Sequence, residues 1–334
     1  MKLVTFETAE GSQRLGAFLD DLVTIVDLTA AAQAEGRETT RFASMLALID
    51  GGPEALDQAR DLMARDRARV ALGEVRLLAP LPEPRQIRDF LAFEKHYRQA
   101  RAQALRIRAA SQPDPEEAAR RLADSDEFKI PAVWYEQPIY YKGNRFSVIG
   151  PEADVEWPSY SEKLDFELEI AAVIGKRGKN IGRETAREHI FGYCIFNDMS
   201  ARDAQYREYP GRLGPAKGKD FDTGNILGPW LVTADEVGDP YDLTMVARVN
   251  GEEWGRGNSG SMHHKWEAII EHASREETLH PGEVLGSGTV GGGCGLEHDR
   301  WLQPGDLIEL EVEKLGTLRN RVRREAGGRL SHTR

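Results

Sequence analysis

The segment Asp165-Phe166-Glu167-Leu168-Glu169-Ile170 constrains the chain most, because acids and apolar residues alternate along it with a period of two. Read as a strand, it turns Phe166, Leu168 and Ile170 toward a core and sets Asp165, Glu167 and Glu169 on the opposite face. The continuation Ile170-Ala171-Ala172-Val173-Ile174 favours a strand over a helix. Same-face neighbours on a strand stand roughly 7 Å apart, and adjacent carboxylates repel unless water, a base or a cation intervenes. An acidic pair on a strand is ordinarily a solvated face. Asp198 points elsewhere, because it ends the apolar run Phe191-Gly192-Tyr193-Cys194-Ile195-Phe196. A carboxylate delivered by a buried strand needs a partner. Three hard oxygen ligands suit Mg²⁺, Mn²⁺ or Ca²⁺, and no His or Cys pair stands at zinc-ligand spacing beside them.

With 334 residues, 40% of them hydrophobic, the chain has material for one large domain and a smaller one. Its two cysteines, one in an apolar run and one in a glycine loop, give no disulfide framework and fit a reducing, cytoplasmic setting. No targeting signal and no apolar stretch near the roughly 20 residues of a membrane span are seen. A net charge of −11 disfavours nucleic acid, so the expected partner is a small molecule, with neither nucleic acid nor membrane.

Short apolar runs over residues 2–28, separated by Gly11-Ser12 and Asp20-Asp21, predict a small β meander. Asp27 to Val75 reads as helical connections broken at Gly51-Gly52-Pro53, with Leu56, Ala59, Leu62 and Met63 on one stripe. The spaced prolines of Pro80-Leu81-Pro82-Glu83-Pro84 mark a boundary. The expected division is a small β-containing N-terminal domain over 1–80, a catalytic domain over 81–324 and a polar tail over 325–334. Residues 98–126 predict two helices joined by a turn, either a solvated insertion or a cover over the site. β patterning is expected again from Pro131-Ala132-Val133-Trp134-Tyr135 to Ile149, a hairpin turn at Asn250-Gly251, and a short amphipathic helix through Trp266, Ile269, Ile270 and Ala273.

Gly286-x-Gly288-x-x-Gly291 has the spelling of a dinucleotide fingerprint, but Gly292-Gly293-Cys294-Gly295 follows instead of a helix. It reads as a plain glycine turn or as a loop whose amides approach an anion, with Thr289 adding a hydroxyl. Arg202 and Gln205, four and seven positions after Asp198, would share one side of a helical turn with it. Lys219 in Gly218-Lys219-Asp220-Phe221 is a lysine that its loop could aim, and His96 shares a segment with Asp89.

Together these motifs resemble the fumarylacetoacetate hydrolase superfamily over roughly residues 85–323. The shared run is D-x-E-x-E, N-D-x-S-A-R-D-x-Q, G-K-x-F, G-P-W, V-N-G-E, L-x-P-G-[DE] and G-T-V-x-G, in that order. The resemblance implies a mixed, β-rich α+β fold with a β-roll and a homodimeric assembly. It makes Glu167, Glu169 and Asp198 metal ligands with Asp89 as a further one, and His96 the water-activating base. Arg202, Gln205 and Lys219 correspond to oxyanion and substrate contacts, and Tyr141, Tyr209 and Thr289 to substrate-binding residues. Glu297 is the candidate for the glutamate that orients His96, with Glu94 the other.

The expected activity is a divalent-metal-dependent hydrolase cleaving a C–C bond in a small 1,3-diketo acid of fumarylacetoacetate or acylpyruvate type, a catabolic reaction. The alternatives are a metal-dependent decarboxylase, hydratase or isomerase of a keto acid, and a non-catalytic metal-binding homologue.

Overall fold

A run of five apolar residues needs cover on both faces, and Leu168–Ile174 is buried along its whole length. In the computed structural model, which describes residues 1–65, 67–110, 112–123 and 125–325, this strand lies between Ile190–Asp198 and Glu283–Gly286, antiparallel to both. The sheet continues beyond Ile190–Asp198 through Asn225–Thr233, Lys2–Glu7, Gln13–Phe18, Thr24–Asp27 and Arg69–Ala71. On the other side it runs through Gln86–Phe90, parallel to Glu283–Gly286, to Tyr140–Gly143. One face packs on a second sheet built from Glu252–Asn258, Thr244–Val249, Leu307–Val312, Gly316–Arg323 and Asp154–Glu156. Between the sheets lies a core in which Leu168, Ile170 and Ile195 meet Ala247, Leu310, Val322 and the helix Trp266–Ser274.

The opposite face, with Ala171, Val173, Cys194 and Phe196, is covered by Leu28, Phe42, Leu48, Ile49 and Leu62 from the N-terminal helical segments. Burial on both faces is why the central strands read as near-continuous apolar runs. The architecture is the mixed α+β fold with a β-roll.

The meander, the helices Met45–Asp50 and Gly52–Met63 meeting at Gly51, the Asn250-Gly251 turn with both φ positive, and the amphipathic helix all stand as expected. Two expectations change. Residues 132–136 form a short helix, Ala132–Glu136, because Pro131 opens a turn that buries Trp134 while its indole N–H donates to the Leu91 carbonyl. The Asp165–Ile170 strand is broken. Leu164–Asp165 pairs with Ser200–Ala201, Glu167 makes a single bridge to Cys294, and only from Leu168 does the segment join the large sheet.

The expected insertion is a pair of helices, Glu94–Ala110 and Pro115–Ala123, with a small apolar cluster of their own around Leu105, Ala109, Ala118 and Leu122. The first turn of Glu94–Ala110 carries His96. Of the expected polar tail, 326–334 lie outside the described residues.

The N-terminal meander is an extension of the catalytic sheet, since Leu3 pairs with Leu231 and Lys2 with Val232. A fragment beginning at Leu81 would leave strand Asn225–Thr233 with an open edge and uncover Leu227, Leu231 and Phe196. Open apolar edges template aggregation. Expressed alone, residues 81–334 are expected to elute as aggregates in size-exclusion chromatography, and co-expression with residues 1–80 should recover soluble material. A monodisperse, active fragment would show that the two parts fold independently.

Candidate active site

Three neighbouring strands deliver three acids to one place. Gln86–Phe90 brings Asp89, Leu168–Ile174 brings Glu169, and Ile190–Asp198 brings Asp198 at its last residue. One carboxylate oxygen from each lies within 4.8 Å of the others, and all three residues are buried. Gly286 pairs with Asp89 and leaves it room, because a Cβ there would stand 2.4 Å from Asp89 Oδ1. Lys219 reaches in from the 216–224 turn and donates to Glu167 Oε2 at 2.5 Å, Asp198 Oδ2 at 2.5 Å and Ser200 Oγ at 2.7 Å. Arg202 lies 2.8 Å from Glu167 Oε1 and donates to Asp165 Oδ2 through two nitrogens, at 2.7 and 2.9 Å. The Tyr141 hydroxyl donates to Asp198 Oδ2 at 2.8 Å.

Charge decides what this cluster can hold. Asp89, Asp165, Glu167, Glu169 and Asp198 are five buried acids facing two buried cations, Arg202 and Lys219. Fully ionised, the group would carry three uncompensated negative charges inside the protein (5 − 2 = 3), which burial opposes. The conflict falls unevenly. Although burial works against it, Glu167 is held well below the usual carboxylate range by Lys219 and Arg202.

Asp198 is pushed up to about 6 by burial, with Lys219 opposing and Glu167 adding to the rise. Asp89 is pushed well up by burial and Asp198, and Glu169 by burial and Asp89. Asp89 Oδ1 and Asp198 Oδ1 are buried without a hydrogen-bond partner among the described residues. Orphaned carboxylate oxygens within a repelling, all-oxygen set are the arrangement a hard divalent cation completes. Asp89, Glu169 and Asp198, with Glu167 beside them, fit Mg²⁺, Mn²⁺ or Ca²⁺.

The glycine loop does bind anions, and they are the protein's own carboxylates. Gly288 N–H donates to Glu169 Oε2 at 2.9 Å, Cys294 N–H to Glu297 Oε2 at 3.2 Å, and Gly295 and Leu296 N–H to Asp165 at 2.8 and 3.0 Å. Thr289 Oγ1, expected to contact substrate, lies 3.4 Å from Glu169 Oε1. Only a 3₁₀ turn, Leu296–His298, follows the loop, so the dinucleotide spelling has no helix behind it.

That turn carries Glu297 to His96, whose Nδ1 lies 3.2 Å from Glu297 Oε1. Burial opposes ionisation of Glu297, but His96 and two loop amides hold it below the ordinary glutamate range. Glu94, the other candidate, is bound on the outside by Arg98 and the Tyr135 hydroxyl. Ligand atoms of His96, Glu297 and Cys294 lie within 4.8 Å of one another, and Cys294 is bridged to Glu167, which sets the imidazole beside the acidic cluster.

The expectation that Asp198, Arg202 and Gln205 share one helical turn does not hold. Asp198 ends a strand and the helix begins only at Arg202, so tertiary packing brings them together; within the helix Arg202 Nη1 donates to Gln205 Oε1 at 3.1 Å. Tyr209 is 52% exposed, in the turn Tyr209–Gly211, with its ring against Tyr206. Sequence reasoning gave no role to Asp165, although its place at the head of the acidic alternation was a signal. It also missed Cys294, which nothing in the sequence tied to His96.

This combination of β-roll, clustered carboxylates and a histidine–glutamate pair defines a class. Residues 87–323 match the family described as Fumarylacetoacetate (FAA) hydrolase C-terminal. The chain belongs to the fumarylacetoacetate hydrolase superfamily and is an enzyme of that class. It is 32% identical over 324 residues to "Oxaloacetate tautomerase fahd2, mitochondrial" of Xenopus laevis, covering 96% of this chain and 90% of that protein. It is 30% identical over 328 residues to "Oxaloacetate tautomerase YisK" of Bacillus subtilis (strain 168), covering 95% and 99%. Among solved structures, the fumarylacetoacetate hydrolase of psychrophilic Exiguobacterium antarcticum superposes with a TM-score of 0.72 at 28% identity, covering 97% of this chain and all of that one.

The raised acids have a thermodynamic consequence. Because Asp89, Glu169 and Asp198 hold protons more tightly folded than unfolded, the metal-free protein loses stability as pH rises from the unfolded carboxylate range, about 4, through the Asp198 value of about 6. Thermal denaturation in chelator should show a lower Tm at about pH 8 than at about pH 5, and saturating Mg²⁺ should close the gap. Asp89→Asn, which removes one repelling charge, is expected to raise the metal-free Tm at pH 8 by about 2 °C or more while abolishing the rise given by Mg²⁺. A lowered metal-free Tm in that variant would contradict the repulsion argument.

Proposed function

We propose that the chain is a divalent-metal-dependent tautomerase interconverting the keto and enol forms of a small 2-oxo dicarboxylate, with oxaloacetate as the first substrate to test. The observation that carries this reading is the His96–Glu297 pair set beside the acidic cluster, a proton-moving group next to a site for a metal-chelating oxo acid. The names of the two relatives, matched over nearly the whole chain, support the same reaction.

Asp89, Glu167, Glu169 and Asp198 would hold a divalent cation, which would supply Lewis acidity toward a 2-oxo carboxylate and so make the adjacent C–H more acidic. Ionised Glu297 accepts from Nδ1–H of His96, which fixes the tautomer and leaves Nε2 as the base. His96 then takes the proton from carbon and returns it to the enol oxygen, or the reverse, and Glu297 stabilises the imidazolium in between. Arg202 and Lys219 are engaged with Asp165, Glu167 and Asp198, so their part is to keep Glu167 and Asp198 charged and fixed. Gln205, whose Oε1 accepts from Arg202, keeps its amide N–H₂ for a substrate oxygen.

Hydrolysis of a 1,3-diketo acid is the second reading, since the same imidazole would activate water. A silent metal-binding homologue is disfavoured by the intact pair. The unpaired Cys194 and Cys294 support a reducing, cytoplasmic setting, no described helix is long and apolar enough to cross a membrane, and homodimeric assembly is carried over from the resemblance.

With Mg²⁺ or Mn²⁺, the enol absorbance of freshly dissolved oxaloacetate should decay faster in the presence of enzyme, without release of pyruvate or CO₂. His96→Ala should slow this by at least roughly 10²-fold with metal binding retained, and Glu297→Gln should cost less. Cleavage of acylpyruvates without acceleration of the oxaloacetate equilibrium would transfer the assignment to the hydrolase, and pyruvate formation to a decarboxylase.

A further inference from the structure

The thiol of Cys294 has no part in the chemistry above, yet it lies close to both members of the His96–Glu297 pair. Cys294 sits opposite Glu167 in a single backbone bridge, and the residue is 1% exposed. One ligand atom each from His96, Cys294 and Glu297 fall within 4.8 Å of one another. Imidazole nitrogen, sulfur and carboxylate oxygen form the donor mix of zinc-type ions, whereas the neighbouring Asp89, Glu169 and Asp198 offer oxygen alone. Small side-chain adjustments bring such atoms to the bond lengths of about 2.0–2.3 Å that zinc takes.

The acids around the thiol favour a cation, since Glu297 and Asp165 each act on it more strongly than Arg202 opposes them. Burial, then Glu297 and Asp165, keep Cys294 protonated in the metal-free protein, so a bound ion would displace that proton. Cys194 has no such company. It lies mid-strand opposite Ala171, within an apolar cluster.

We propose that His96, Cys294 and Glu297 form a second cation site, selective for a thiophilic divalent ion such as Zn²⁺ or Cd²⁺, whose occupation withdraws His96 from proton transfer. Three protein ligands leave one position for water, as in open zinc sites. The Mg²⁺ of the acidic cluster and this ion would bind together, so zinc would inhibit without competing against Mg²⁺. The inhibition rests on reading His96 as the base; the binding does not.

The test loads the full chain with excess Mg²⁺ and titrates it with Cd²⁺, following the ultraviolet charge-transfer band of a cadmium–thiolate bond. Wild type and Cys194→Ser should both develop the band with one equivalent, and Cys294→Ser should not. In turnover assays with saturating Mg²⁺, Zn²⁺ should inhibit wild type reversibly on chelation, and Cys294→Ser, with its basal rate kept, should need at least roughly tenfold more zinc.

Since Cys294→Ser could fold poorly, X-ray absorption on the zinc- and Mg²⁺-loaded wild type gives an independent check, with one sulfur expected among the atoms bound to zinc. A band that survives in Cys294→Ser, zinc bound by oxygen and nitrogen alone, or inhibition relieved by added Mg²⁺ would overturn the site. Cadmium bound through Cys294 with turnover unchanged would leave the site standing and overturn the role of His96.

Discussion

Two buried cations organise the centre of this protein. Lys219 spans Glu167 and Asp198, and Arg202 spans Asp165 and Glu167, so Glu167 is shared between them. Each ion pair lies where unpaired charge would cost several kcal/mol, and each ties together segments far apart in the chain. Because two cations cannot balance five acids, the surplus falls on Asp89, Glu169 and Asp198, whose protons are held unusually tightly. The same imbalance that strains the metal-free fold is one that a divalent ion would relieve.

The glycine loop is the second organising device. A Cβ at Gly295 would stand 2.7 Å from Asp165 Oδ1, and one at Gly288 would stand 2.4 Å from the Phe90 carbonyl oxygen, so glycine lets the loop close down at both places. Amides of the loop donate to Glu169, Glu297 and Asp165. The loop therefore links the cation cluster to the proton-transfer pair. Asp165 fixes both Arg202 and the turn that presents Glu297, so the two halves of the site share one foundation.

The helix carrying His96 runs on into residues 98–126, which the sequence presents as either a solvated insertion or a cover over the site. Its outer turns pack with Pro115–Ala123 around a few alanines and leucines, while its first turn faces Leu296–His298. The proposed base therefore sits at the root of a helical pair with a small apolar cluster of its own, while Asp89, Glu169 and Asp198 stand on strands of the large sheet.

Much of this was legible from residue order alone. Short apolar runs between turn residues placed the meander, longer apolar runs marked the doubly covered strands, and the order of motifs carried the family and its acids. Asn250-Gly251 and the stripe from Trp266 fixed their local structure, because turn chemistry and helical spacing act over a few residues. What the sequence could not state was who pairs with whom. Asp165 reads as one more acid of the Glu167–Glu169 face until the strand breaks and turns it to Arg202; Asp198 and Arg202 look like neighbours on a helix until a strand ends between them. His96 stands some two hundred residues before Cys294 and Glu297 in the chain, and Glu94 remained the second candidate until packing turned it outward. Ion pairs, shared protons and orphaned oxygens depend on distances of a few ångströms across segments remote in sequence, and only the tertiary fold sets those distances.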